Sequence, residues 1–442
     1  MLYYLLKPVV RIFMHIFYRI QVKGLDNLPS GKPVVLIPNH VNGFVDPLLV
    51  GMFSKPKVRF FARGDVFKGR IVKWLLNDMN VSPMYRISEG YGEVKKNDKT
   101  FEECRSLLGQ RKALLMFPEG ICIQDRRVKK FKKGLARIIL SVEALDSNKS
   151  DILVIPVGLN YSSAKDFRSK VFIQFGEPIH LSDFQKRYQE DKVRAINVCS
   201  QFMETELAKL VVTISKPEND ELYEALSEIY IRQRIEEQGG KSSNLETVYK
   251  KNRELASLIN SLEETSPGQI QELKEKVIPY LCELKRIKLR DHLLRRDRLA
   301  KMNLQSILND FLIMWFGLPL YWIGLLLNLP PYRLARNTAR DKAKQVEFYA
   351  SIYANLAMFC WLGYYVLQLI LIRRITHQWA TVAVWALLVP LTGWFAITFY
   401  PVRKKVFGRW KLLGLVKKDK ATAERLIHER EEIIGRIKGL GL

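Results

Sequence analysis

Residues 33–47 read PVVLIPNHVNGFVDP. The first six carry no charge, favour β-branched side chains and lie between two prolines, which predicts a strand buried on both faces. The next residues place Asn39, His40, Asn42 and Asp46 around Gly43, directly before Pro47. Polar residues crowded at the exit of a buried strand either cap the following helix or carry chemistry. Outward from this point, short apolar runs recur: VRFFAR (58–63), KALLMFPEG (112–120), ILVIPVGLNY (152–161) and SKVFIQFGEPI (169–179). Helical patterns such as DPLLVGMFS, FKGRIVKWLLND, DKTFEECRSLLGQR and KKGLARIILSVEAL lie between them. Strand–helix–strand alternation predicts an α/β core over residues 30–182, with a mixed, largely parallel sheet flanked by helices.

The chain of 442 residues is too long for one ordinary domain, and at 48% hydrophobic content it can bury a sizeable core. Its 71 Lys and Arg against 45 Asp and Glu give a formal charge of +26. Nucleic acid, anionic lipid and anionic substrates all fit such a charge. Distribution decides for anionic headgroups of a lipid bilayer and against nucleic acid, because the basic residues cluster beside apolar runs rather than among exposed aromatics. Cys104, Cys122, Cys199, Cys282 and Cys360 form no CxxC pair, so neither a zinc site nor a disulfide framework is expected, and the surroundings are taken as reducing.

Residues 1–29 open with Lys7, Arg11, His15 and Arg19 at four-residue spacing among apolar residues. That is one narrow polar stripe on a helix, predicting an interfacial helix with its basic stripe toward anionic lipid. It lacks the uninterrupted apolar centre and small residues of a secretory signal. Residues 183–305 read as a charged helical extension, with Ser266 and Pro267 starting one helix and Leu273, Val277, Leu281 and Leu284 marking its apolar stripe. Residues 306–410 read as a membrane region: 352–372 and 379–400 approach the roughly 20 residues needed to span. Residues 311–329 are re-entrant or spanning, since they hold Gly317 and Pro319 and are followed by a basic stretch read as a loop, with Arg333, Arg336, Arg340, Lys342 and Lys344 against Asp341. Residues 411–442 read as a basic cytoplasmic tail helix. The excess of cations on both flanks favours an integral membrane protein with its catalytic domain on the cytoplasmic face.

Four short blocks carry the candidate chemistry. His40 with a nearby carboxylate makes a general base with an orienting acid, which suffices when the substrate brings its own hydroxyl. No G-x-S-x-G stands in the chain to supply an activated serine. In LLMFPEG, Phe117-Pro118-Glu119-Gly120 form a turn that presents a carboxylate at the end of an apolar run. NVSPMYR ends on Arg86, a residue type that grips phosphate with a bidentate fork. VIPVGLNY offers a wall for the same site, and Lys130, Lys132 and Lys133 in KKFKKG are phosphate candidates on charge alone.

In this order and spacing the four blocks resemble the glycerophospholipid acyltransferase superfamily. The resemblance covers roughly residues 30–180. It implies transfer of a fatty acyl group from acyl-CoA or acyl-ACP to a hydroxyl of glycerol 3-phosphate or 1-acyl-glycerol 3-phosphate, with no cofactor or metal. By motif, His40 is the base and Asp46 its partner. Arg86, Phe117, Pro118, Glu119, Gly120, Asn42 and Lys133 are the implied substrate-binding residues. The family pattern has four residues between His and Asp, whereas Val41, Asn42, Gly43, Phe44 and Val45 intervene here. Either Val45 occupies the carboxylate's usual place, or Gly43 lets the loop bulge so that Asp46 reaches His40. The branch with fungal-type glycerol-3-phosphate and dihydroxyacetone-phosphate acyltransferases looks similar, with Asp-Pro at this point. A thioesterase using the same histidine, or an inactive lipid-binding membrane protein, are the competing readings.

Overall fold

A computed structural model describes residues 2–54, 57–85, 97–145, 151–240, 243–300 and 302–441. The described strands are β1 (Arg19–Lys23), β2 (Val34–Pro38), β3 (Val58–Arg63), β4 (Val81–Met84), β5 (Ala113–Leu115), β6 (Leu153–Tyr161), β7 (Lys170–Phe175) and β8 (Ile179–His180). They form one sheet in the order β1-β7-β6-β2-β5-β3-β4, with β8 beside β6. Every pairing among β6, β2, β5, β3 and β4 is parallel, as is β1 with β7, while β7 and β8 run antiparallel to β6. All five residues of β2 are buried, as expected of a central strand covered on both faces.

The chain divides into two compact units. The first comprises Met1–Thr213 with Ala343–Ser351. Around its sheet lie helices α1 (Leu2–Phe17), α2 (Val45–Phe53), α3 (Arg70–Asp78), α4 (Asn97–Gly109), α5 (Gly134–Leu145), α6 (Ser182–Glu190) and α7 (Lys192–Ala208). Val35, Ile37 and Leu114 of the sheet, Ile139 of α5 and Cys199 and Met203 of α7 share one buried cluster. Hence α6 and α7 complete the α/β core, and the expected boundary near 182 moves to 213. The expected helix over 1–29 ends at Phe17, because Arg19–Lys23 joins the sheet beside β7. Its basic stripe does not all face outward either. Lys7 Nζ donates to the Ser54 carbonyl at 3.1 Å and the Arg11 guanidinium lies over the Phe53 ring, while apolar Tyr4 and Ile12 stand exposed.

The second unit comprises Ile214–Lys342 with Ile352–Leu442. Its longer helices are α8 (Leu245–Thr265), α9 (Pro267–Arg286), α10 (Leu304–Lys342), α11 (Val346–Thr376, whose first turns belong to the first unit), α12 (Trp379–Lys418) and α13 (Lys420–Gly439). Leu273, Val277, Leu281 and Leu284 of α9 are buried, as their spacing predicts. Buried Asp291 takes two hydrogen bonds from Arg430 (2.9 and 3.1 Å) and one from the Tyr280 hydroxyl (2.8 Å), tying α13 to α9 and the turn behind it. Helices α10, α11 and α12 are each long and apolar enough to cross a membrane. Trp315, Phe316, Leu387 and Leu391 stand more than half exposed on them, a surface suited to lipid. Helix α10 continues without interruption through Pro319, Pro330 and Pro331, so the basic stretch at 333–342, expected as a loop, forms its last turns. Where α10 meets α12, a Cβ on Gly324 would fall 2.1 Å from the Thr392 carbonyl oxygen, and Asn328 donates to the Val389 carbonyl at 3.2 Å. Small residues and a shared amide are what close helix contact inside a bilayer uses.

Candidate active site

Strands β6, β2 and β5 are neighbours and parallel, so their carboxyl ends reach the same edge of the sheet. Ligand sites of open α/β sheets form at that edge. Asn39 staples the exit of β2 to β6: its amide donates to the Leu159 carbonyl (3.1 Å) and its Oδ1 accepts from Leu159 N–H (2.7 Å). His40 follows. The chain then turns on the Asn42 carbonyl, which accepts from Val45 N–H (2.9 Å) and Asp46 N–H (3.1 Å). Gly43, at φ +26°, makes this turn possible, and a Cβ there would lie 2.9 Å from Ser351 Oγ and 3.0 Å from Phe348. The turn sets Asp46 in the first turn of α2 with its carboxylate aimed back at the loop.

Asp46 is fully buried and every described contact to it is a donor. Its Oδ2 accepts from the N–H groups of Val41 (2.8 Å) and Asn42 (2.7 Å) and faces His40 Nδ1 at 3.0 Å; its Oδ1 accepts from the Tyr161 hydroxyl at 2.6 Å. Burial first, then the Asp46 charge, push the Tyr161 phenol far above its ordinary range, so it stays a donor. With the carboxylate at Nδ1, the network assigns the ring proton there and leaves the Nε2 lone pair free. The His40 side chain is 14% exposed, and its ring stacks on Phe117 at 4.0 Å between centroids. The extra residue between His40 and Asp46 is thus absorbed by the Gly43 turn. Val45 points into the core instead, with no exposed surface.

The end of β5 builds the opposite side. Gly120 N–H closes a turn on the Phe117 carbonyl (3.2 Å), with Gly120 itself at φ +69°. Lys132 N–H holds the Pro118 carbonyl at 2.8 Å, and Ile123 N–H holds the His40 carbonyl at 3.2 Å. The turn buries Glu119 to 3% exposure, and among the described residues its Oε1 has no hydrogen-bond partner. Burial pushes the Glu119 carboxyl up to about 8. The backbone N–H groups of His40 and Lys129 pull it down, and Asp125 and Asp46 add to the rise. A buried acid with an open oxygen beside the histidine needs a partner that the described residues do not provide. Cys122 accepts from Gly43 N–H through Sγ at 3.1 Å; burial, then Asp46, hold its thiol up to about 12, which removes it as a thiolate nucleophile.

Of the residues expected from sequence, His40, Asp46, Phe117, Pro118, Glu119 and Gly120 converge here. Asn42 does not face the opening: it is fully enclosed, and its amide donates to the Tyr18 hydroxyl (3.1 Å) and the Ala164 carbonyl (2.9 Å). Its side chain holds the loop from behind rather than meeting a substrate. Lys133 is exposed just before α5, whereas Lys132 runs its stem past Gly120, with Cγ 3.1 Å from where a Cβ would sit. Arg86 lies outside the described residues. Asn39 stood out at the strand exit, though not its bonds to β6, and Tyr161 received no role of its own; the signal for Tyr161 was its place at the end of VIPVGLNY, one strand away from the histidine. Among the described residues no group of three or more His, Cys, Asp or Glu side chains is placed to hold a metal ion.

A family model described as Acyltransferase matches residues 19–160, the stretch that contains the sheet edge and both turns. The chain carries an acyltransferase-family domain. Among curated proteins, this domain is similar to a chloroplastic 1-acyl-sn-glycerol-3-phosphate acyltransferase of Arabidopsis thaliana, with 27% identity over 158 residues, 36% of this chain and 40% of the relative. A glycerol-3-phosphate O-acyltransferase of Saccharomyces cerevisiae is 24% identical over 283 residues, 63% of this chain and 36% of the relative. The chain therefore spans about two fifths of the length of these relatives. The crystal structure of a 1-acyl-sn-glycerophosphate acyltransferase from Thermotoga maritima aligns with a TM-score of 0.32 and 21% identity, covering 46% of this chain and 79% of that one. The match to the yeast protein extends past the acyltransferase domain, since 283 residues exceed the 19–160 stretch.

Proposed function

We propose that the chain is a membrane-bound acyltransferase that moves a fatty acyl group from a thioester, acyl-CoA or acyl-ACP, to a hydroxyl of glycerol 3-phosphate or 1-acyl-glycerol 3-phosphate. One observation carries the reading: a histidine oriented through Nδ1 by a buried carboxylate, its Nε2 free, beside a buried glutamate with an open oxygen. The names of the relatives support this acceptor class, and three helices apolar enough to span support the bilayer. The basic stretches flanking those helices favour a cytoplasmic active site, where both thioester carriers are found.

In the step proposed, His40 Nε2 takes the proton of the acceptor hydroxyl while its oxygen attacks the thioester carbonyl. Asp46 stabilises the imidazolium that forms. The tetrahedral intermediate collapses, the carbon–sulfur bond breaks, and the departing thiolate receives the proton from Nε2. The products are the ester and the free thiol. Glu119 holds the acceptor's glycerol hydroxyls, Arg86 takes the phosphate by its fork, and Phe117 keeps the imidazole ring flat against the turn. Hydrolysis by the same histidine is the second reading: His40 would then activate water in place of the acceptor hydroxyl, and the buried Cys122 thiol, held up to about 12, takes no part in either reaction.

The test is transfer of a labelled acyl group by purified full-length protein in membranes, with both acceptors and with none. Transfer that requires one acceptor, and is lost in His40→Ala, is expected. Fatty acid released at the same rate without acceptor would overturn the assignment.

A further inference from the structure

Two basic runs stand apart from the acyl-transfer chemistry: KRIKLR (285–290) and VRKKVFGRWK (402–411). The second unit brings them together. Lys288 and Arg290, in the turn after α9, join Arg403, Lys404 and Lys411 of α12 around one open cavity of about 470 Å³ that no acid among the described residues lines. Gly408 admits that turn, since a Cβ there would lie 2.8 Å from Leu293. Three other cations of this unit are neutralised: Arg409 pairs with Asp310, Arg298 with Glu236 and Arg430 with Asp291. Among the described residues the five around the cavity have no such acid. Aromatic rings hold two of them instead. Arg403 lies over Tyr321 at 4.9 Å and Tyr400 at 5.5 Å, with its Nε buried and without a hydrogen-bond partner, and Lys404 lies over Tyr400 at 4.4 Å. His292, two residues after Arg290, is held down to about 4 by burial first, with Arg232, Arg298, Arg290 and Lys405 adding to the shift.

We propose that this cavity binds the phosphate of an acidic phospholipid headgroup. Five like charges gathered without acids repel one another, and an anion relieves that cost. Arginine supplies the fork and lysine the point charges that phosphate recognition uses. The cavity begins where the apolar run of α12 ends, at Tyr400, and Phe407 forms part of its wall. If α12 crosses a bilayer, that is headgroup depth, with aromatic rings at the level where membrane proteins carry them. A soluble phosphate would meet the same cations but would gain nothing from the adjoining apolar helix. The inference rests on α12 spanning a membrane and is independent of acyl transfer.

The experiment is native mass spectrometry of the full chain in detergent, titrated with phosphatidylglycerol, which is neither acceptor nor product of the proposed reaction, and with phosphatidylcholine. Wild type and a control with equal charge loss, Lys417→Ala/Lys418→Ala, should both bind phosphatidylglycerol in preference. Lys288→Ala/Arg290→Ala should bind it about tenfold more weakly, and Lys411→Gln, a milder change on an exposed helix face, about threefold. Equal losses in cavity and control variants would overturn the site. Inorganic pyrophosphate binding as tightly as the lipid would overturn the lipid assignment, and so would displacement of the lipid by an oligonucleotide.

Discussion

The two charged regions of this chain solve opposite problems. At the sheet edge, one buried carboxylate meets two backbone N–H groups, a phenol and an imidazole, and its nearest partners come from the same short loop. In the second unit, five long cations surround an open cavity with no acid among them. Proton transfer needs a lone pair held to a fraction of an ångström, so it uses short side chains anchored to backbone. Headgroup binding needs charge density and tolerates motion, so long flexible side chains serve. Substitutions at the first site should therefore change rate, and those at the second should change lipid affinity with acyl transfer to a soluble acceptor preserved.

The largest break in that contrast is His40→Ala. Removing a general base costs about 10²–10⁴ in rate. A fall of kcat of that size is expected with the thermal midpoint little changed, because the ring packs on Phe117 but carries no core. Asp46→Asn comes next. The amide can still accept from the backbone, but it no longer stabilises the imidazolium, and transfer should fall at least ~10²-fold. Combining Val45→Asp with Asp46→Asn should not restore it, since Val45 points into the core; recovery would mean that the loop takes a different turn from the one at Gly43.

Glu119→Gln sharpens the comparison through pH. Between the ordinary glutamate value of 4.5 and about 8, the folded protein keeps a proton on Glu119 that the unfolded chain has lost. Stability therefore falls as pH rises through this window. The glutamine variant lacks that slope, so thermal midpoints measured in detergent from pH 5 to 8 should drop for wild type relative to the variant. Acceptor KM should rise several-fold in the variant while donor KM holds. Parallel midpoint curves would show that Glu119 is not the buried acid described.

Much of the first region was legible in the sequence because its signals are local. PVVLIP is a run without charge, FPEG is a turn with its residues adjacent, and the strand–helix alternation needs only windows of ten residues. The edge strands were not. RIQVK at 19–23 carries two charges and follows a helical pattern, and only its partner β7, some 150 residues away, makes it a strand. Nor could spacing decide between Val45 and Asp46: that depended on the φ of Gly43 and on a three-dimensional neighbour, Ser351, from the other end of the chain. Asn42 misled for the same reason. A polar residue beside a histidine reads as substrate-facing until its two donors are seen buried behind the loop. The cationic cavity was visible as two basic runs, but not as one site, because more than a hundred residues separate Lys288 from Arg403.

The smallest effect is expected at Tyr161, and it tests whether fixed geometry is what the first region supplies. Among the described residues its hydroxyl gives Asp46 the one donor that comes from a separate strand, at 2.6 Å. Hydrogen bonds to charged groups contribute roughly 1.5–3 kcal/mol when buried. In Tyr161→Phe the carboxylate keeps both backbone donors, so it should keep facing His40, though with less restraint from β6. A loss of about threefold to tenfold in kcat is expected, with acceptor KM unchanged and the melting temperature a few degrees lower. If kcat instead falls as far as in Asp46→Asn, the phenol does more than position the acid, and the proton taken from the acceptor would then have to be traced through the hydroxyl as well as the imidazole.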